Sequence, residues 1–191
     1  MKKLIKPDNL SPKEKKKTII KIIFSATILF AFFYYKKSLD KEKIDLLKSN
    51  FGITKAKIIG KTLSKINGNK FEYYVNKKKH TYANSNSLIL YSNEHYKVKY
   101  SKDNPKICEI ILTTPIIKDI NDYEERTARV TKKEPYIPNK IEFNYNYLGK
   151  NYNRSIYINN CSKYKIDKEY EIIINKENPK IAYLKNMFNF Q

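Results

Sequence analysis

Apolar positions along this chain follow two different periods. From Ile19 to Tyr35 they are nearly continuous (IIKIIFSATILFAFFYY), with Lys21 as the one charge. No polar face exists between Ile22 and Tyr35, which argues against the buried helix of a soluble unit. At 1.5 Å per residue the run spans about 25 Å, the short end of what crosses a bilayer. Lys21 lies within one turn of one end, where its stem can bury while its ammonium reaches the headgroups. Tyr34 and Tyr35 close the other end, where amphipathic rings favour the interface. Residues 18–37 therefore read as a transmembrane segment contacting the lipid bilayer. Cleavage as a signal peptide would need small residues at −1 and −3. Leu29 stands two before Ala31, and Phe32-Phe33-Tyr34-Tyr35 follows, so an uncleaved signal anchor is expected.

Beyond the anchor the period changes to two. Phe71, Tyr73 and Val75 alternate with Glu72, Tyr74 and Asn76, and Phe143, Tyr145 and Tyr147 repeat the pattern 72 residues later. At the same offset Ala56-Lys57-Ile58 matches Ala128-Arg129-Val130. Two inserted residues later, Tyr96–Tyr100 matches Tyr170–Ile174, and Asn104-Pro105-Lys106-Ile107 matches Asn178-Pro179-Lys180-Ile181. Each copy reads as two hairpins. Asn76-Lys77-Lys78-Lys79 and Leu148-Gly149-Lys150-Asn151 are the first turns, with Gly149 suited to positive φ. The Asn-Pro segments (Asn104, Pro105, Asn178, Pro179) are the second turns.

The expected fold is mainly β: a transmembrane helix followed by two tandem small β-barrel or β-sandwich modules. Residues 1–17 form a basic cytoplasmic tail and 18–37 the anchor. Residues 38–51 form a helical linker, from the spacing of Ile44, Leu46 and Leu47 with Gly52 as a stop. The modules cover 52–117 and 126–187. A linker, 118–125, joins them, with a short helix expected over Ile117–Glu125.

Gly149-Lys150-Asn151-Tyr152 and Val98-Lys99-Tyr100-Ser101-Lys102-Asp103-Asn104-Pro105 carry a further likeness. The pattern resembles a widespread bacterial family of membrane-associated proteins with small β modules, a domain of unknown function. Its members share an aromatic hairpin ending near Gly-Lys-x-Tyr and a closing Val-x-Tyr-x-x-x-Asn-Pro turn. Lys77 stands where the hairpin glycine would be in the first copy, and Ile172-Ile173-Ile174 replaces Val-x-Tyr in the second. The resemblance covers most of residues 53–185. It implies fold and membrane association, and brings no catalytic residues and no cofactor.

Charge changes the picture less than its size suggests. The net +20 accompanies an excess of Lys, Asn, Ile, Tyr and Phe, all with A+T-rich codons. Nucleobase composition alone would produce it, so a solvated lysine surface is expected and nucleic acid is not expected as a partner. A polyanion-binding alternative would use Tyr73, Tyr74, Lys77, Lys78, Lys79 and Tyr82, aromatic platforms flanked by lysines. Seven lysines before the span against five after it set the N-terminus inside and the β region extracytoplasmic, at the cytoplasmic membrane.

Catalytic chemistry finds little footing. No phosphate-binding glycine loop, nucleophile elbow or His-Glu-x-x-His helix is present. His80, His95 and Cys108 match no established zinc spacing. The carboxylate pairs Glu124-Glu125 and Asp167/Glu169 sit in turn or linker contexts. Cys108 and Cys161 occupy non-equivalent positions and are expected as unpaired, mostly buried thiols, with a bridge between the halves as the alternative. The sequence thus points to a non-enzymatic, cofactor-free, single-pass envelope protein serving interaction with an unknown protein partner or structural support. A membrane-tethered immunity-type protein is a further alternative.

Overall fold

The computed structural model describes residues 11–62, 68–85, 88–136 and 139–188. The chain divides into two compact units, Met1–Lys48 and Ser49–Gln191. The apolar run of the first unit lies within one helix, α1 (Pro12–Ser49), of 38 residues and therefore about 57 Å. Proline opens it, at the position where a missing N–H costs nothing. Lys16–Ser49 has a window of mean hydropathy 1.8 with none of it buried. One helix is thus long and apolar enough to span a membrane. The expected helical linker is continuous with this span and stops at Ser49. Gly52 is not the stop. It lies in the first strand, directly opposite Tyr100, and a Cβ there would come within 2.5 Å of the tyrosine ring. Glycine is required by that close approach and not by a helix cap.

The second unit is mainly β. β1 (Phe51–Lys61), β2 (Gly68–Val75), β3 (Lys78–Ser85), β4 (His95–Ser101) and β5 (Cys108–Pro115) form one antiparallel sheet, ordered β3-β2-β1-β4-β5. β6 (Tyr123–Glu134), β7 (Asn139–Tyr147), β8 (Lys150–Ile158), β9 (Glu169–Asn175) and β10 (Ala182–Leu184) form a second, ordered β8-β7-β6-β9-β10. The order is the same in both sheets. Between them the expected helix over Ile117–Glu125 is only a 3-10 turn, Ile120–Asp122, and Tyr123 to Glu125 already belong to β6. The Asp119 side chain accepts from the Asn121 N–H and caps the turn.

Register agrees as closely as order. Ile58 pairs with Phe71 and Val130 with Phe143, and each pairing is followed by a bulge before Gly60↔Lys70 or Lys132↔Glu142. Lys57 faces His95 where Arg129 faces Glu169. Asn76 and Lys77 have φ of 49° and 64°, and Leu148 and Gly149 have 50° and 75°. Positive φ at both central residues is the signature of the tight type I′ hairpin. The turn is therefore two residues long, and Lys78 and Lys79 belong to β3 rather than to the loop.

The aromatic hairpins and the Asn-Pro turns, separate features of the sequence, are bonded to each other. The Tyr73 hydroxyl donates to the Pro105 carbonyl, and the Tyr145 hydroxyl to the Pro179 carbonyl at 2.6 Å. Tyr73 stacks on His80 and Tyr145 on Tyr152, with centroids 5.4 and 5.6 Å apart. Within each turn the Asn side chain accepts from the lysine N–H two residues on. Its carbonyl accepts from Ile107 or Ile181, both at 2.9 Å. Proline is tolerated because its position asks for an acceptor and no donor.

The alternation sorts side chains as expected: Phe143, Tyr145 and Tyr147 are buried while Asn144 and Asn146 are exposed. Both sheets contribute to one hydrophobic core, from Ala56, Ile58 and Phe71 to Ile172, Ile174 and Leu184. Cys108 and Cys161 are buried thiols and form no disulfide.

Tyr145→Ala should therefore cost about 3–5 kcal/mol and Tyr145→Phe, which loses only the bond to Pro179, about 1 kcal/mol. Asn144→Ala should stay within about 0.5 kcal/mol. Lys77→Gly should stabilise by about 0.5–1 kcal/mol by relieving left-handed backbone at a residue with a Cβ. Equilibrium denaturant titrations check all four, and equal losses at Tyr145 and Asn144 would refute the strand register.

Candidate functional site

The hairpin residues do not converge on one surface. Tyr73 is buried, its ring covered and its hydroxyl committed to Pro105. Tyr74, on the opposite face of β2, is exposed. Tyr82 packs on Phe71 with centroids 5.6 Å apart. Lys77 occupies the turn, Lys78 opens β3, and Lys79 pairs with Glu72 at 2.5 Å. Only Tyr74 among these aromatics is free to stack on a ligand, so the six residues do not make a stacking platform. Period-2 alternation forces the separation, since neighbours in a strand point to opposite faces. Asn104, Pro105, Asn178, Pro179 and Gly149 hold turns.

A polar centre lies instead between the sheets. Glu94, just before β4, is fully buried, and Arg154 on β8 is almost so. Glu94 Oε2 accepts from Arg154 Nη2 at 2.7 Å, from the Tyr96 hydroxyl at 2.5 Å and from the Tyr183 hydroxyl at 2.7 Å. Its Oε1 accepts from the Tyr91 N–H at 2.7 Å. Arg154 Nη1 donates to the Ile89 carbonyl at 2.8 Å, while Nε is buried without a partner. The guanidinium also faces the rings of Tyr91 and Tyr183, a favourable cation–π placement. Burial, the largest single influence, would lower the guanidinium pKa, but the Glu94 carboxylate together with the oxygens of Tyr96 and Tyr183 outweighs it and holds the group above its ordinary value. Burial and the same carboxylate push the phenols of Tyr96 and Tyr183 well up. Both tyrosines stay neutral donors, and the cluster is a closed ionic lock with no face for a substrate.

Beside the lock a cleft of about 170 Å³ is lined by residues from both sheets. Lys57, Asn93, His95 and Lys118 come from the first, and Asp122, Asn175, Glu177 and Asn178 from the second or its approach. His95 is buried, and its ring hydrogen-bonds the Asn93 backbone. Asn93 has φ of 75°, the left-handed geometry that asparagine tolerates, which turns the chain into β4. Burial first, then the ammonium groups of Lys118, Lys55 and Lys57, hold His95 below the ordinary imidazole range. The Asn93 bond offsets part of this.

The remaining chemical candidates are dispersed. His80 stacks on Tyr73, His95 lines the cleft and Cys108 is in the core. Among the described residues no three His, Cys, Asp or Glu side chains gather as a metal site. Glu124 pairs with Arg126 and accepts from Tyr147, and Glu125 pairs with Lys185 at 2.7 Å. No family model, curated protein or solved structure matches the chain.

Sequence reasoning missed Glu94, Arg154 and the cleft. One signal was available. Arg154 is one of only three arginines in a chain rich in lysine, and it alternates in phase with Ile156 and Ile158 on the inward face of β8. A cation in a core-facing register calls for a buried carboxylate.

A base whose folded pKa is lowered binds its proton more readily when unfolded. The contribution of neutral His95 is thus complete above the unfolded value of about 6.5 and is lost as pH falls below it. Stability should decline from pH 7.5 to 5.5, and His95→Gln should flatten that decline. Thermal unfolding across this range checks it, and an unchanged slope in the variant would contradict it.

Proposed function

We propose that the chain is a single-pass, non-enzymatic protein of the bacterial envelope, anchored in the cytoplasmic membrane, whose β unit serves protein interaction or structural support. The observation that carries this reading is α1, whose apolar side chains from Ile19 to Tyr35 are exposed all around the helix. A soluble setting would leave Phe24, Phe30, Phe32 and Phe33 in water at large cost, whereas a bilayer takes them in. The lysine bias supports an N-terminus inside and a β unit outside. The matching sheet orders and registers support an origin by tandem duplication and agree with the resemblance to small-β-module proteins.

Charge distribution supports an interaction role for the first sheet in particular. Residues 51–118 carry thirteen lysines against four carboxylates, while residues 119–188 carry thirteen lysines and arginines against ten. The ion pairs follow the same division. Glu124, Glu125, Glu134, Glu142, Glu169 and Glu171 of the second sheet each lie within reach of a cation on that sheet or, at Lys185, in the turn that follows it. On β1 and β4, Lys55 faces Lys97 and Ile53 faces Lys99 in register. The same face carries exposed Phe51 and Ile53. An acidic protein partner complements such a surface. The polyanion alternative draws on the same lysines, with Tyr74 as its exposed ring.

The full chain should remain in membranes through alkaline carbonate, and deletion of Met1–Lys37 should release a soluble folded product. A membrane-impermeant maleimide should label Tyr136→Cys in intact spheroplasts, and Lys13→Cys only after permeabilisation. Extraction of the intact chain by carbonate would refute the anchor, and the reverse labelling would refute the orientation. Binding to DNA and RNA should be weak, equal, and lost as salt approaches physiological values. Tight salt-resistant binding abolished by Tyr74→Ala would favour the polyanion reading.

A further inference from the structure

The two sheets match in register, so the few places where equivalent positions differ in charge stand out. On the second sheet Arg129 faces Glu169, a self-neutralised pair with 3.8 Å between the charged groups. At the equivalent register of the first sheet Lys57 faces His95, while Glu72, itself paired with Lys79, stands opposite Lys57 on β2. Lys57 and His95 line the inter-sheet cleft, and Lys118 joins them there. Among the described residues no carboxylate lies within ion-pair distance of Lys57 or Lys118. Two carboxylates, Asp122 and Glu177, also line the cleft, and Tyr123 is the remaining titratable group there.

We propose that this cleft is a binding site for a small phosphate- or carboxylate-bearing anion, held between Lys57, Lys118 and the ring of His95. Its volume of about 170 Å³ is below the roughly 300–1,000 Å³ of sites for drug-sized ligands, so the occupant is of the size of an inorganic anion or a small organic acid. Side-chain amides of Asn175 and Asn178 and the Ser92 hydroxyl line the same space as neutral donors. An anion would supply between Lys57 and His95 the counter-charge that Glu169 supplies to Arg129, since Glu72 on β2 makes its ion pair with Lys79. Burial is the first cause of the lowered His95 pKa, and the charges of Lys118, Lys55 and Lys57 lower it further, in keeping with a positive potential at the cleft. A bound anion acts against that potential: an opposite charge within about 4–6 Å favours the imidazolium. Occupancy and protonation of His95 are therefore linked, and binding strengthens as pH falls. The inference is independent of the membrane anchor and of any protein partner.

The chain has two histidines, which makes the test direct. Full-length protein with labelled histidine, held in detergent micelles, is titrated with pH by NMR. The titrations are run in inorganic phosphate, in acetate, and in chloride matched for ionic strength. Phosphate or acetate should raise the His95 pKa by about one unit or more relative to chloride, while His80, stacked on Tyr73 outside the cleft, stays in place. Lys57→Ala and Lys118→Ala, at a half-buried and an exposed position outside the core, should each weaken phosphate binding about tenfold, the loss of one charge-assisted hydrogen bond. A His95 pKa that moves equally in all three salts, or no more than that of His80, would overturn the proposal. So would phosphate affinity unchanged in both lysine variants of a protein whose spectrum remains folded.

Discussion

Everything in the β unit is arranged around one buried ion pair. Glu94 brings a carboxylate from the first sheet into the core, and Arg154 on the second sheet meets it at 2.7 Å. Taking two charges out of water costs several kcal/mol each, and their attraction repays this only when the other lone pairs and protons are also engaged. Tyr96 from the first sheet, Tyr183 from the second, and the backbone of Tyr91 and Ile89 supply that engagement. The requirement is strict. Either sheet without the other would leave a bare charge in an apolar face, so the pair favours the one docking in which both are satisfied.

The lock is built from positions where the sheets differ, on a frame in which they agree. Tyr82 occupies in the first sheet the register that Arg154 holds in the second, each opposite a phenylalanine, Phe71 or Phe143. Lys168 takes the place of Glu94, and both backbone carbonyls accept from the central strand, from Ile58 and Val130 respectively. The backbone scheme is therefore common, while the side chains give one sheet the acid and the other the base. The same divergence of side chains sets Lys57 against His95 at the cleft, where the second sheet has the pair Arg129 and Glu169.

The frame was legible because it rests on local rules. Alternation at Phe71-Tyr73 and Phe143-Tyr145 revealed the strands, and the Asn-Pro segments revealed the turns, since each pattern follows from backbone geometry alone. Where the sequence misled, a longer-range contact decided. Gly52 looked like a helix stop and proved to be space for the Tyr100 ring. Tyr73, grouped with Tyr74 as a ligand platform, belongs to the core through its bond to Pro105, 32 residues away. The lock and the cleft lay outside sequence reasoning because their residues meet only when the sheets dock. Glu94 and Arg154 are 60 positions apart and belong to different sheets.

The most direct test of this account is a double-mutant cycle across the lock, read by equilibrium urea unfolding followed through the tyrosine near-ultraviolet circular dichroism. Glu94→Met or Arg154→Met alone strands a buried charge or its donors and should cost about 3–5 kcal/mol. Together they replace the pair by apolar side chains, so the double variant should be far more stable than the sum of the single losses implies. A coupling energy of at least about 2 kcal/mol is the expected result. Losses that add within about 0.5 kcal/mol would show that Glu94 and Arg154 act independently, and would contradict the claim that their meeting holds the two sheets together.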